Sequence, residues 1–103
     1  MLLACAAGRP RSEISALVNT VEVSDDPEVN YFFSAHLAYC GEADAALRFL
    51  QLAIDGNHCS YPAVDLDPLF DTVRTSPEFA RTRAAAVACH ERLAPAARSC
   101  CAN

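Results

Sequence analysis

Three helix starts are marked in the same way, by a capping residue followed directly by proline. They are Asp26-Pro27, Asp67-Pro68 and Ser76-Pro77. The side-chain oxygen of Asp or Ser accepts a backbone N–H that the first turn of a helix leaves free. Proline suits the first helical position because it has no N–H to satisfy and its φ is already helical. This repeated signal predicts an all-α fold and argues against a β fold.

A pair of helices over residues 27–40 and 42–55 gives the clearest pattern. The first segment is apolar on most sides, which is typical of a helix packed on more than one face. The second carries one polar stripe with apolar residues opposite. The stripe consists of Asp44, Arg48, Gln51 and Asp55. Gly41 is suited to end the first helix, and so short a connection predicts that the two helices lie antiparallel.

Apolar residues at helical spacing predict further helices on both sides of this pair. The segments are 2–7, 11–23, 67–75 and 77–93. Between them, we expect residues 57–66 to form an ordered loop. Residues 94–103 contain Pro95 and show no periodic pattern, so we expect a flexible tail. The chain is therefore predicted to form one helical domain over residues 1–93.

Composition narrows the classes of function. The chain has 103 residues, of which 52 % are hydrophobic, enough for one core. No apolar run reaches the ~18 residues of a membrane-spanning helix. The net charge of −5 argues against nucleic acid as a partner. Residues 1–75 carry eleven acids and four Arg, so most of the negative charge lies there. We expect a cytoplasmic protein that binds neither membrane nor nucleic acid.

No arrangement typical of an active site is present. The three glycines are widely spaced, so no phosphate-binding loop is predicted. The serines lack the glycines of a nucleophile elbow. Asp26 and Asp67 are explained as helix caps. We therefore expect a protein without enzymatic activity and without a cofactor.

Six cysteines in a chain of this size suggest a disulfide framework or a zinc site. They are Cys5, Cys40, Cys59, Cys89, Cys100 and Cys101. No C-x-x-C pair occurs, although structural zinc sites depend on such tight knuckles. The preferred interpretation is that the cysteines are small buried residues or exposed bystanders. The alternative is a metal-binding or thiol-redox module, because Cys and His are adjacent twice. Its candidate residues are His58, Cys59, Cys89 and His90.

Residues 27–56 resemble a tetratricopeptide repeat when Gly41 is aligned with the glycine between the helices of that repeat. The aligned positions are the small residue Ser34, the large apolar Leu37, Gly41, the two alanines Ala46 and Ala53, and the large apolar Leu50. In such repeats, small residues let two antiparallel helices press together while larger apolar residues fill the gaps. Asn30 departs from the pattern, since a Trp or another large residue is usual there.

The following segment is similar to the C-terminal end of helical-repeat regions attached to bacterial signalling proteins, including kinases, nucleotide cyclases and transcription regulators. The residues that carry this likeness are Gly56, Cys59, Tyr61, Pro62, Asp67, Pro68, Arg74, Pro77 and Phe79. The resemblance implies a short right-handed solenoid of about four to five helices in antiparallel pairs. Residues 67–93 would then cap its last hydrophobic face.

The resemblance also implies a function, which is protein–protein interaction or scaffolding. In such repeats the first helix of each pair lines the concave face. That face would consist of Glu28, Tyr31, Ala35, Ala38 and Tyr39. The expected partner is an extended or helical peptide of another protein, and self-association is also expected. Three alternatives stay open. Tyr31 and Tyr39 could pack beneath a neighbouring helix, the chain could be a capping fragment without a ligand, or the Cys/His module could apply.

Overall fold

The chain folds into helices alone in the part that the structure describes. This structure is a computed structural model, and it describes the backbone of residues 2–101 and the side chains of residues 4–93. The elements are α1 (Leu2–Ala6), α2 (Arg11–Val18), α3 (Pro27–Tyr39), α4 (Ala43–Asp55), α5 (Ala63–Leu66), a 3₁₀ helix (Pro68–Val73) and α6 (Pro77–Cys101). The predicted all-α class is confirmed. Seven helical elements within the described backbone exceed the four to five that the sequence predicts.

The three helix starts form as the sequence predicts. Asp26 Oδ1 accepts the backbone N–H of Glu28 at 2.9 Å, at the start of α3. Asp67 Oδ1 accepts that of Leu69 at 3.0 Å, at the start of the 3₁₀ helix. At the start of α6, Ser76 Oγ accepts the N–H of Phe79 at 3.1 Å. Each cap satisfies one of the N–H groups that the first turn leaves free.

A three-residue turn around Gly41 joins α3 to α4. Gly41 has φ +78°, which lies in the left-handed region. The N–H of Glu42 bonds to the carbonyl oxygen of Leu37 at 2.9 Å, and the N–H of Gly41 bonds to that of Ala38 at 3.0 Å. This pair of bonds is the Schellman motif, which closes the last turn of a helix. The predicted helix end at Gly41 is confirmed, and α3 and α4 pack against each other along their length.

Small residues let α3 and α4 approach closely. The side chains of Ser34, Ala46 and Ala53 are fully buried. Ser34 Oγ donates a hydrogen bond to the carbonyl oxygen of Ala46 at 2.6 Å, which links the two helices directly. The larger side chains of Leu37 and Leu50 fill the space beside them and are also fully buried. The 3₁₀ helix packs on α3, and α6 packs on α4.

Three segments differ in their secondary structure from the sequence-based expectation. Helix α2 ends at Val18, and residues 21–24 form no helix, although a helix was expected over 11–23. Helix α5 occupies the end of the expected loop, and the expected helix at 67–75 is a 3₁₀ helix. At the end of the non-helical segment 21–24, the Asn30 side chain of α3 bonds to both the N–H and the carbonyl oxygen of Ser24, which are therefore not used in a helix.

The C-terminal helix is longer than the sequence predicts. Helix α6 begins at Pro77 and runs to Cys101, whereas the apolar pattern ends at Leu93. The side chains of residues 94–101 lie outside the described ones, and so do residues 102 and 103. The flexible tail and the domain boundary at residue 93 stay predictions. No helix among the described residues combines the length and the hydrophobicity needed to cross a membrane.

Candidate functional site

The structure divides the surface that the sequence assigns to partner binding. Tyr31, Ala35 and Ala38 are buried, whereas Glu28 and Tyr39 are exposed. The cause is the 3₁₀ helix of the chain itself, which packs on this side of α3. The three buried residues therefore have a packing role here, and a partner can reach only the other two.

Tyr31 holds the 3₁₀ helix and the residue before it, Asp67, against α3. Its hydroxyl donates a hydrogen bond to Asp67 Oδ2 at 3.1 Å. Its ring stacks between His58 and Phe70, with ring centroids 5.2 and 5.8 Å away. Burial raises the pKa of the Tyr31 hydroxyl, and the neighbouring Asp67 carboxylate raises it further. These contacts fit the interpretation in which Tyr31 packs beneath a neighbouring element.

Arg74, which directly follows the 3₁₀ helix, also holds that helix in place. Its guanidinium donates to the carbonyl oxygens of Val64 at 2.8 Å and Asp67 at 2.7 Å. The same group lies 5.8 Å from the centre of the Phe79 ring. One side chain thus connects α5, the start of the 3₁₀ helix and α6. The segment over Tyr31 is therefore fixed by several independent contacts.

The outer side of α3 carries a line of aromatic side chains. Phe32, His36 and Tyr39 follow one another at spacings of four and three, which places them on one helix face. Phe32 is 51 % exposed and Tyr39 is 44 % exposed. Glu28 precedes Phe32 by one turn and is also exposed. We call Phe32, His36 and Tyr39 the aromatic stripe. Large aromatic side chains left in contact with water in this way are typical of contact surfaces.

Phe32 and His36 of the aromatic stripe lie outside the face that the repeat alignment predicts for partner binding. That predicted face consists of Glu28, Tyr31, Ala35, Ala38 and Tyr39, so it shares only Tyr39 with the stripe. The signal that identifies the stripe is the spacing from Phe32 to Tyr39, together with knowledge of which neighbour covers the opposite side. The covering neighbour is the 3₁₀ helix, some thirty residues later in the chain, and no local pattern reveals it.

Four of the six cysteines form two disulfides. Cys5 is bonded to Cys40, and Cys59 is bonded to Cys89, with Cα atoms 5.3 Å apart in both pairs. This separation is typical of disulfides. The result corrects the interpretation of these four residues as small buried residues or bystanders, because folding brings together residues that are far apart in sequence. The side chains of Cys100 and Cys101 lie outside the described residues.

The Cys59–Cys89 disulfide brings together the four residues of the alternative Cys/His module. Cys59, His58 and His90 line one open cavity of about 530 Å³. We call it the cysteine–histidine pocket. The other lining residues are Asn57, Ser60, Tyr61, Pro62, Ala63 and Leu93. Among the described residues, no group of three His, Cys, Asp or Glu side chains that could hold a metal ion is found. Cys59 and Cys89 are bonded to each other, so these two cysteines of the module are present as a disulfide.

One ion pair stands beside the pocket and ties α5 to α6. Arg83 donates from Nε and Nη2 to the two carboxylate oxygens of Asp65, both at 2.7 Å. The Arg83 guanidinium also lies 5.6 Å from the centre of the Tyr61 ring. The hydrogen bonds from Arg83 lower the pKa of the Asp65 carboxyl. This ion pair fixes the wall of the pocket that contains Tyr61. It also means that Arg83 is already paired with Asp65.

Comparison with known proteins assigns no family. No protein-family profile matches the chain, no curated protein matches it, and no solved structure matches it.

Proposed function

We propose that this chain is a non-enzymatic protein–protein interaction module of tetratricopeptide type. The observation that carries the proposal is the aromatic stripe of α3. Its two exposed rings lie on a helix that also contains the fully buried Ser34, Leu37 and Ala38. Aromatic residues are enriched at protein interfaces, where they bury a large area at low cost in conformational entropy.

The packing of α3 on α4 supports the repeat type. The residues aligned with the small positions of a repeat are Ser34, Ala46 and Ala53, and all three are fully buried. Helix α6 packs on α4, in the way that a capping helix closes the last pair of a solenoid. We infer that the stripe is the face through which the pair contacts its partner.

The partner that fits this face best is an amphipathic segment with basic residues beside its apolar ones. Glu28 lies at one end of the stripe. Residues 1–75, which include α3, carry eleven acids and four Arg, a net charge of −7. A basic segment is attracted to such a surface, and an acidic one is repelled. Its apolar residues would cover Phe32 and Tyr39.

Binding of two synthetic helical peptides tests this proposal. Both peptides have a leucine face, and their polar face is lysine in one and glutamate in the other. We expect the lysine peptide to bind the intact protein more tightly. The double variant Phe32→Ser, Tyr39→Ser should weaken binding by at least about tenfold, because truncating a central aromatic residue costs about 2 kcal/mol or more. Isothermal titration calorimetry measures both affinities.

Leu66→Ser is the matched control, since Leu66 is 77 % exposed and lies outside the stripe. This variant should bind the lysine peptide as the parent does. Equal binding of the two peptides, or no loss in the double variant, contradicts the proposal. Light scattering adds one further outcome. A dimer that the double variant abolishes would assign the stripe to self-association and would also contradict a basic partner.

We also propose that the protein works in an oxidising compartment. Two disulfides in a small domain are typical of such compartments and rare in the cytosol. This proposal replaces the expectation of a cytoplasmic location. Its test is the number of free thiols after isolation from the native source under acid quench. Four unpaired thiols at positions 5, 40, 59 and 89 would contradict it.

A further inference from the structure

We propose that Cys59–Cys89 is a thiol-exchange site, at which Cys59 forms a mixed disulfide with a low-molecular-mass thiol that enters the cysteine–histidine pocket. The site is separate from the aromatic stripe, so this inference is independent of the interaction proposal. It rests on three observations, which are the unequal exposure of the two cysteine residues, the pocket, and the groups around the bond.

The two cysteines differ in access. Cys59 is partly exposed and lines the pocket, whereas Cys89 is fully buried between α6 and α4. A thiolate attacks a disulfide through a mixed disulfide with the sulfur that it reaches. An incoming thiol therefore reaches Cys59 and leaves Cys89 as the departing sulfur. A volume of about 530 Å³ suits a small molecule.

The surroundings fit the reduced form as well as the disulfide. Cys59 Sγ lies 4.0 Å from the carbonyl oxygen of Asn57, and Cys89 Sγ lies 4.0 Å from that of Ile54. Each carbonyl oxygen can accept a hydrogen bond from a thiol, which is a weak donor. In the disulfide form, each sulfur thus already lies beside a carbonyl oxygen that can serve its thiol as an acceptor.

The loop that carries Cys59 has attachments other than the disulfide. Ser60 Oγ donates to the carbonyl oxygen of His58 at 2.9 Å and contacts His58 Nδ1 at 3.0 Å. Tyr31 stacks on the same imidazole. The loop thus keeps its shape when the sulfur–sulfur bond opens, and exchange can be reversible.

The exchange balances as two steps. A thiolate attacks Cys59 Sγ, the bond to Cys89 breaks, and its electron pair goes to Cys89 Sγ, which takes a proton. A second thiolate then attacks the sulfur of the bound small molecule, and Cys59 leaves as a thiolate and is protonated. In total, one protein disulfide and two thiols give one protein dithiol and one small-molecule disulfide. The reverse sequence oxidises the protein.

Peptide mapping of the folded protein in glutathione buffers tests the inference. Cleavage after arginine places Cys5, Cys40, Cys59 and Cys89 in four different peptides, so mass spectrometry identifies every adduct. We expect glutathione on Cys59 with a free thiol at Cys89, while Cys5–Cys40 stays closed. An adduct on Cys89, or opening of Cys5–Cys40 at the same rate, overturns the proposal.

Two single variants form a matched pair, because both lose the same disulfide and differ only in the sulfur that remains. Cys89→Ser leaves the accessible Cys59, which should accumulate a stable glutathione adduct. Cys59→Ser leaves the buried Cys89, which should react at least about tenfold more slowly, the ratio that corresponds to an opening cost of about 1.4 kcal/mol. Equal rates in two variants that circular dichroism shows to be folded overturn the proposal. If either variant fails to fold, the map of the parent protein decides.

Discussion

A few buried polar side chains, each bonded to a different part of the chain, determine how the elements of this protein meet. Ser34 links α3 to α4, Tyr31 links α3 to Asp67, and Asn30 links α3 to the segment before it. No buried side-chain nitrogen or oxygen of the described residues lacks a hydrogen-bond partner. Because an unpaired buried polar group costs about 1–3 kcal/mol, each of these residues tolerates few replacements.

Replacement of Asn30 is expected to destabilise the fold. Its side chain accepts from the N–H of Ser24 at 2.8 Å and donates to the carbonyl oxygen of Ser24 at 2.9 Å, while it is almost completely buried. We expect Asn30→Ala to lower the free energy of unfolding by about 2 kcal/mol, because both backbone groups lose their partner. Urea unfolding followed by circular dichroism measures the loss. Asn19→Ala, at an exposed asparagine, should change it by less than about 0.5 kcal/mol. Equal effects would contradict the role of Asn30.

Tyr31 predicts an alkaline limit to stability. Burial and the Asp67 carboxylate raise the pKa of its hydroxyl in the folded protein, whereas an unfolded tyrosine ionises near pH ~10. Above that pH the unfolded state loses a proton that the folded state keeps, so the free energy of unfolding falls as pH rises. We expect Tyr31→Phe to remove this part of the pH dependence, at some cost in stability at neutral pH. Urea titrations between pH 8 and about 11 test it. A slope unchanged in the variant would show that Tyr31 is not the cause.

At the scale of elements, local signals in the sequence predict the helix ends better than the contacts between helices. The caps at Asp26, Asp67 and Ser76 and the glycine end at Gly41 depend on neighbouring residues, and all four are confirmed. The short helix α5 was missed because its four residues show no periodic pattern. The sequence does not predict that the 3₁₀ helix covers Tyr31, because a pattern within α3 shows an apolar side without showing what packs on it.

Gly41 and Gly56 each follow a helix of the central pair. We expect alanine and asparagine to differ in stability at position 41 but not at position 56. Gly41 has φ +78°, so a side chain is disfavoured there by the backbone conformation. Gly56 has φ −86°, but a Cβ atom there would lie 2.8 Å from Pro27 Cβ, at the start of α3. We expect Gly41→Ala to cost about 1–2 kcal/mol and Gly41→Asn to cost less, because asparagine tolerates the left-handed conformation.

Gly56→Ala should cost about 1–3 kcal/mol, because the end of α4 must move away from Pro27. Gly56→Asn should give no relief, since the clash comes from Cβ itself. Thermal unfolding of the four variants tests the contrast. A Gly56→Asn variant more stable than Gly56→Ala would contradict the clash with Pro27. A Gly41→Asn variant no more stable than Gly41→Ala would contradict the role of the left-handed backbone at Gly41.

At the scale of the whole molecule, the disulfides are the part of the fold that the sequence could not supply. Six cysteines without a local motif allow many pairings, and only the folded chain brings Cys5 to Cys40 and Cys59 to Cys89. The first bond ties α1 to the end of α3, and the second ties the loop after α4 to α6. The two closed loops do not overlap along the chain. Together they connect both outer parts of the molecule to the central helix pair.

Removal of the disulfides is expected to destabilise the whole molecule. The bonds close loops with sequence separations of 35 and 30 residues, for which the loss of unfolded-state entropy contributes about 3–4 kcal/mol each. A small domain has a total stability of only about 5–15 kcal/mol. We therefore expect two double variants to unfold at a clearly lower urea concentration than the parent. One is Cys5→Ser with Cys40→Ser, and the other is Cys59→Ser with Cys89→Ser. The variant with all four replacements should be largely unfolded at 37 °C, since separate loops contribute additively. A reducing agent should reproduce these effects in the parent protein and leave the fourfold variant unchanged. Full stability of the parent under reduction would show that neither bond contributes to the fold.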